Sequence, residues 1–364
     1  MKHFRALWCV LLLAAAGCTT THPADGEVRN LIYLIGDGMG LSHLAMLDIE
    51  TDYRPNAFDR TERLALVTTR SVNNRVTDSA AAGTALATGH KTGNSMLGMT
   101  LDSTLVSSMM ERARDRGMAT GIVVTSYLQH ATPGAFYAHR PKRSQYEAIT
   151  EQLLASEFDV LLGGGAEWLE KPCAAADGNY FDAFARKGYR VVRTPEELDA
   201  VHDGRLLGCF AEGHLPRSAE RGDLLPRATR KALELLAADR DGFLLMVEGS
   251  QIDGAAHAND AAQVLDEMRD FEQVVSLAMD FADTHPGTLV VIVADHETGG
   301  LTMPSAKGDF TLSESGVTYR FGTNSHTGIH VPAYFYGTGA DRFRPMMEND
   351  ELARRIMELL RLDR

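Results

Sequence analysis

Short runs of aliphatic and β-branched residues punctuate this chain, and the stretches between them are long enough for amphipathic helices. The runs fall at Asn30–Ile35, Ala119–Thr125, Val160–Leu162, Tyr189–Arg193, Phe243–Val247, Thr288–Ala294 and Val331–Tyr336. That alternation predicts an α/β fold: a large, mainly parallel central sheet sandwiched by helices. One helix is expected between Pro226 and Asp241, with proline near its start and Gly242 just beyond its end. A second is expected over Asp260–Thr284, where Val264, Leu265, Met268, Phe271, Val275 and Phe281 recur at helical spacing. The tail from Asp350 reads as a closing helix. No internal repeat interrupts the pattern.

The 364 residues are 44% hydrophobic and 23% charged, which excludes a disordered chain and a multi-span membrane protein. A formal charge of −13 disfavours nucleic acid as a partner. An anionic substrate therefore needs a local positive centre, from metal ions or a placed arginine.

Residues 1–17 read as an export signal and not as part of the fold. Lys2 and Arg5 precede the apolar run Leu7 to Ala16, which is too short to span a bilayer, and Ala15-Ala16-Gly17 put small residues before Cys18. A small-small-Cys junction is the bacterial lipoprotein pattern, with cleavage before Cys18 and lipid attached to it; ordinary cleavage nearby is the alternative. Thr19, in place of an aspartate, goes with sorting to the outer membrane, facing the periplasm. Residues 18–29 would then be a tether. Cys173 and Cys209 remain as an even pair in an oxidising compartment, where a disulfide between them is expected and two buried thiols are the alternative.

Reactive side chains gather where the strands end. Asp37 follows the first run, His130 and Thr132 follow Val123-Val124-Thr125, Glu248 follows Phe243–Val247, and Asp295 and His296 follow Val290–Ala294. Ligands of open α/β sheets bind outside the carboxyl ends of the strands, so these residues would meet at one edge. Asp253 and His257 stand four apart, on one face of a helix, and could share a cation. His326 lies in a glycine-rich loop, Ser325-His326-Thr327-Gly328. Oxygen and imidazole donors without thiolate suit Zn²⁺, and carboxylates with a hydroxyl suit Mg²⁺. Ser79 opens an alanine-rich, helix-favouring run after Thr77 and Asp78, where the positive end of a helix dipole would stabilise an alkoxide or a phosphate. A plain capped helix is the other account of that segment.

Taken in order, Asp37-Gly38-Met39-Gly40, the Val76–Ala85 block, Gln129–Pro133, Glu248–Asp253 with His257, Asp295–Gly300 and His326-Thr327-Gly328 resemble the motifs of the alkaline phosphatase family, from about Asn30 to Ala340. The resemblance implies a single catalytic domain over 30–364 that hydrolyses small phosphate monoesters. Ser79 would attack phosphorus and become phosphoserine. One zinc would be held by Asp253, His257 and His326 and would activate water. A second, held by Asp37, Asp295 and His296, would activate Ser79. Thr132 and Glu248, sharing Asp37, would hold magnesium. Arg143 resembles the arginine that clamps phosphate oxygens, with Arg140 as its competitor. The family also implies a homodimer as a candidate assembly.

The chain departs from the family pattern at His130, where tight magnesium binders carry aspartate, and at Gly254, where lysine, tryptophan or histidine is common. His130 would hold a water on the third metal, contact phosphate, or only orient its neighbours. Gly254 would leave open space beside the phosphate. The crown between His296 and His326 is short, and residues 163–225 read as a partly irregular insert over or beside the site. The competing functions are phosphodiester or phosphonate hydrolysis, and non-catalytic binding of phosphate or metal by an envelope lipoprotein.

Overall fold

The computed structural model describes residues 26–307 and 316–363. The signal, Cys18 and most of the tether expected from the sequence lie outside the described residues. The strands are β1 Asn30–Gly36, β2 Arg63–Thr68, β3 Ala119–Tyr127, β4 Val160–Gly164, β5 Tyr189–Val192, β6 Arg205–Cys209, β7 Phe243–Gly249 and β8 Thr288–Val293. Four two-residue strands follow, β9 Glu297–Thr298, β10 Leu301–Thr302, β11 Arg320–Phe321 and β12 His326–Thr327, and then β13 Val331–Gly337 and β14 Met346–Glu348.

Ten of these strands form one sheet in the order β14-β2-β13-β8-β1-β7-β3-β4-β6-β5. β13 pairs antiparallel with both β2 and β8, and every other pairing in the sheet is parallel. The middle of the sheet is buried throughout: every residue of β7 and β8, and of β1 after Asn30, is shielded from solvent. Such strands read as continuous hydrophobic runs because helices cover both faces. Each leucine or isoleucine in β1 contributes about 1.5–3 kcal/mol by burial, so a charged residue at Ile32 or Leu34 would break the sheet at its centre.

The long helix Ala261–Thr284 is capped by Asp260, whose side chain accepts from the Gln263 amide, and it buries Val264, Met268, Phe271 and Val275. It packs with the helix Leu224–Leu236 against β3, β7 and β8. Pro226 sits in the first turn of that helix, where its missing N–H costs nothing. The helix ends at Leu236 and not at Asp241, because the residues after it turn, with the Asp241 amide donating to the Asp239 carboxylate.

One expectation is refined here and one is corrected. Residues 163–225, expected as a partly irregular insert, supply β5, β6 and the helix Tyr180–Arg186, with turns between them, and complete one end of the sheet. Cys173 and Cys209 are free, buried thiols and not a disulfide. Cys209 closes β6 and its thiol donates to the Ala211 carbonyl at 3.6 Å, while Cys173 sits in a turn whose amide bonds back to Gly178. Each is packed on a separate element as a small hydrophobe, and burial pushes the Cys209 thiol up to about 12, away from the reactive thiolate.

Topology places the site. β8, β1, β7 and β3 are neighbours, so the residues that follow them converge at one carboxyl edge. Because β13 runs against the rest, its amino end lies at that same edge and delivers β12, with His326, to it. β12 then pairs with β9, setting His326 opposite Thr298.

Candidate active site

Ser79 is the first residue of the helix Ser79–Thr88, and Asp78 caps it by accepting from the Ala81 amide at 3.0 Å. The same carboxylate accepts from the Ser95 amide and from Arg143 Nη1 at 3.3 Å, which fixes the helix start. Ser79 is buried, and its Oγ lies 3.2 Å from His296 Nε2.

Around that hydroxyl the predicted ligands fall into three sets. In the first, His257 Nε2 is 3.2 Å from Asp253 Oδ2 and 3.2 Å from His326 Nε2. Asp253 and His257 belong to the short helix Gln251–His257, as their spacing predicts. The Nδ1 atoms of both histidines face main-chain carbonyls, His257 at Asn324 (2.8 Å) and His326 at Thr77 (2.9 Å). A carbonyl only accepts, so each Nδ1 carries the hydrogen and each Nε2 turns a lone pair inward. A proton and a metal compete for such a lone pair: the hydrogen bond that the protonated ring gives to Asp253 raises the His257 imidazole to about 9, so cation binding displaces a proton.

In the second set, His296 Nε2 lies 3.2 Å from Asp295 Oδ2 and 3.5 Å from Asp37 Oδ1, all three residues being buried. Asp295 Oδ1 accepts from the amides of Gly38 and His296, which aims Oδ2 at the centre. In the third set, Asp37, His130 and Glu248 bring ligand atoms within 4.8 Å of one another, and Thr132 is buried beside them.

The fit to cations rests on oxygens that nothing in the protein satisfies. Both oxygens of Asp37, Oδ2 of Asp295 and Oε1 of Glu248 are buried and accept no hydrogen bond among the described residues. Burial, followed by the nearby Asp295, Asp253 and Glu248 charges, holds the Asp37 carboxyl well above the carboxylate range. Burial likewise raises Glu248 to about 7, despite hydrogen bonds that oppose it. Several kcal/mol per uncompensated ion would be lost in such a place, and divalent cations remove that penalty. The oxygen-and-imidazole donor set suits hard or borderline divalent ions.

Arg143 supplies fixed positive charge. Its Nη2 lies 3.1 Å from His130 Nε2, whereas Arg140 pairs its main chain with Leu97 and reaches the Ala148 carbonyl at 3.5 Å. The guanidinium can only donate, so His130 Nε2 accepts and Nδ1 keeps its hydrogen. That tautomer suits a hydrogen bond to water or substrate and withholds a direct metal bond. Burial first, then Arg143 and His214, holds His130 well below the ordinary histidine value, so it is neutral.

Several residues of the site carry no signal that sequence reasoning used. Thr298 Oγ1 hydrogen-bonds Asp253 Oδ1 and lies 3.2 Å from His296 Nδ1, tying the first set to the second. Gly38 permits this closeness: it has φ of +76°, and a Cβ there would come 2.8 Å from Thr298 Oγ1. Ser126 Oγ donates to Glu248 Oε2 at 3.3 Å. Thr298 was at least within a recognised segment, two residues after His296, while Ser126 is one inward-facing hydroxyl of a strand.

The chain as a whole matches known proteins in sequence and fold. The family model described as alkaline phosphatase covers residues 28–314. Alkaline phosphatase 4 of Bacillus subtilis is 32% identical, over 92% of this chain and 89% of its own length. Streptomycin-6-phosphate phosphatase of Streptomyces griseus is 33% identical, over 95% of this chain and 94% of its own. The solved alkaline phosphatase of the Antarctic bacterium TAB5 gives a TM-score of 0.87 at 31% identity, covering 93% of this chain and 100% of that one. With the family model, the curated relatives and the solved structure in agreement, the chain belongs to the alkaline phosphatase family.

Proposed function

We propose that this chain is a phosphomonoesterase that works through a phosphoserine at Ser79, with zinc at Asp253-His257-His326 and at Asp37-Asp295-His296, and magnesium at Asp37-Thr132-Glu248. Membership of the family supports metal-dependent hydrolysis of phosphate monoesters. The observation that carries the finer reading is the placement of Ser79 Oγ, 3.2 Å from His296 at the amino end of a helix and near buried carboxylate oxygens that no described donor reaches. Variants of the TAB5 enzyme with aspartate or glutamate in place of a histidine are described with magnesium in an M3 site. That supports magnesium at the third set, with His130 offering it no direct bond here.

Bound cations would supply positive charge at the entering and leaving oxygens and lower the pKa of the hydroxyl beside them. The protein's own groups do the rest. Ser79 Oγ forms a bond to phosphorus as the ester P–O bond breaks, and the alcohol departs with a proton. Arg143, braced by Asp78, holds two equatorial oxygens in its planar fork while charge spreads over them. Water then attacks phosphorus from the side the alcohol left, freeing inorganic phosphate and returning the proton to Ser79. Dipoles of the first helical amides stabilise both the alkoxide and the phosphoseryl group.

Export and a lipid anchor on Cys18 belong to the same proposal, supported by the leader pattern. No helix of the described residues is long and apolar enough to cross a membrane. The decisive experiment is Ser79→Ala. Turnover of p-nitrophenyl phosphate and covalent ³²P incorporation should vanish while zinc content stays near that of the parent protein; full activity in the variant would refute the assignment.

A further inference from the structure

We infer that His214 is a specificity-determining residue, forming an aromatic wall at the mouth of the site that favours phosphate monoesters whose alcohol carries a planar ring, such as nucleoside 5′-monophosphates. The inference rests on the phosphomonoesterase reading and adds a substrate class to it.

His214 is exposed, yet the loop that carries it is held at every turn. The Gly165 amide is shared between the Ala211 and Gly213 carbonyls (3.1 and 3.0 Å), the Leu215 amide donates to the Thr125 carbonyl at 2.9 Å, and Gln251 donates to the Leu215 carbonyl. Backbone contact is so close that a Cβ on Gly164 would lie 1.9 Å from the Gly213 oxygen. The loop is thus fastened to β3, to the end of β4 and to the helix that carries Asp253 and His257.

From that anchorage the His214 ring meets Tyr127 at 4.7 Å and His130 at 5.4 Å between centroids. Tyr127 is fixed in turn, with its hydroxyl 2.9 Å from that of Tyr146 and its ring edge-on to His130. Since His130 receives Arg143, a single imidazole separates His214 from the guanidinium that clamps phosphate. Gly254 completes the opening. A Cβ at Gly254 would meet nothing within 4 Å, so the flank of Asp253 that a side chain would otherwise fill is left bare. A small aliphatic alcohol leaves this wall untouched, whereas a heteroaromatic ring can lie against it.

Adenosine 5′-monophosphate and ribose 5-phosphate test this cleanly, because both release a primary alcohol from the same sugar carbon and differ in the base. Ring stacking on an aromatic side chain contributes about 1–3 kcal/mol, so the parent protein should favour the nucleotide about tenfold or more in kcat/KM. In His214→Ala that ratio should fall to within about twofold of unity, and His214→Phe should restore most of it. The Ki of inorganic phosphate, which has no ring, reports whether the phosphate pocket itself has been disturbed. A ratio near one in the parent protein, or an unchanged ratio in His214→Ala, would overturn the inference while ribose 5-phosphate turnover upholds the phosphomonoesterase. Loss in both variants would overturn stacking as the basis of preference. Hydrolysis of neither ester would overturn the functional reading and this inference together.

Discussion

Two clusters of buried carboxylates among the described residues are resolved in opposite ways. Glu267 and Asp270, one turn apart on the long helix Ala261–Thr284, enclose Arg221, whose Nη2 reaches both at 2.5 Å and whose Nη1 reaches Glu267 at 3.1 Å. The Ser218 amide adds a further donor to Glu267. Asp37, Asp295 and Glu248 are equally buried, yet their inward oxygens receive nothing from the protein. The first cluster carries its counter-charge in the chain and is structural. The second omits it, and the omission is what marks a site for external cations.

Removing those cations should have the largest effect. Dialysis against a chelator is expected to lower kcat at least about a thousandfold, with recovery on adding zinc and magnesium, while far-UV circular dichroism holds steady because the Arg221 cluster needs no metal. Activity that survives complete metal removal would break the comparison. Next in size is Arg221→Met, which leaves two buried carboxylates uncompensated and should cost about 3–5 kcal/mol in urea unfolding. Adding Glu267→Gln and Asp270→Asn should recover much of that loss, and kcat of the folded fraction should match the parent.

A smaller change, Thr298→Val, deletes the hydroxyl that orients Asp253 and His296. Zinc affinity should fall about 10–100-fold by competition with a chelating dye, with little change in urea midpoint. The smallest effect comes from an intermediate case, a carboxylate whose partner titrates. Glu111 is paired with His139 at 3.0 Å, and that hydrogen bond, acting against burial, raises the imidazole pKa. A raised histidine contributes stability that is fully present below its unfolded value and is lost as pH rises through its folded value. The unfolding free energy from urea titrations should therefore drop slightly over that interval, by less than about 1 kcal/mol, and the drop should disappear in Glu111→Gln.

Much of this architecture was legible in the sequence where strands are central and buried. β1, β3, β7 and β8 announce themselves as unbroken apolar runs because both faces are covered. β2 escaped notice: near the sheet end it buries only Ala65 and Val67 and carries exposed Arg63 and Leu64. β14 is three residues long, and β6 is five residues, two of them the glycine and cysteine that end it. Most candidate ligands were readable because Asp37, Glu248, Asp295 and His296 stand at the carboxyl ends of strands and Asp253 and His257 at helical spacing, while His326 was marked only by its glycine-rich loop. His214 was not, since its position depends on a loop folding back across β3 and β4, a closure that leaves no period in the chain. The cysteine pair misled because an even count says nothing about where two thiols are carried.

The strand order also governs how the protein must be made. Among the described residues β1 is the earliest strand in the chain, and it lies between β7 and β8, whose residues follow it by more than two hundred positions. A growing polypeptide therefore holds this apolar segment without either permanent neighbour until most of the message has been read. Contacts of such range form slowly and leave the emerging chain exposed to aggregation, and a product that stops before residue 288 lacks one of the two strands that flank β1.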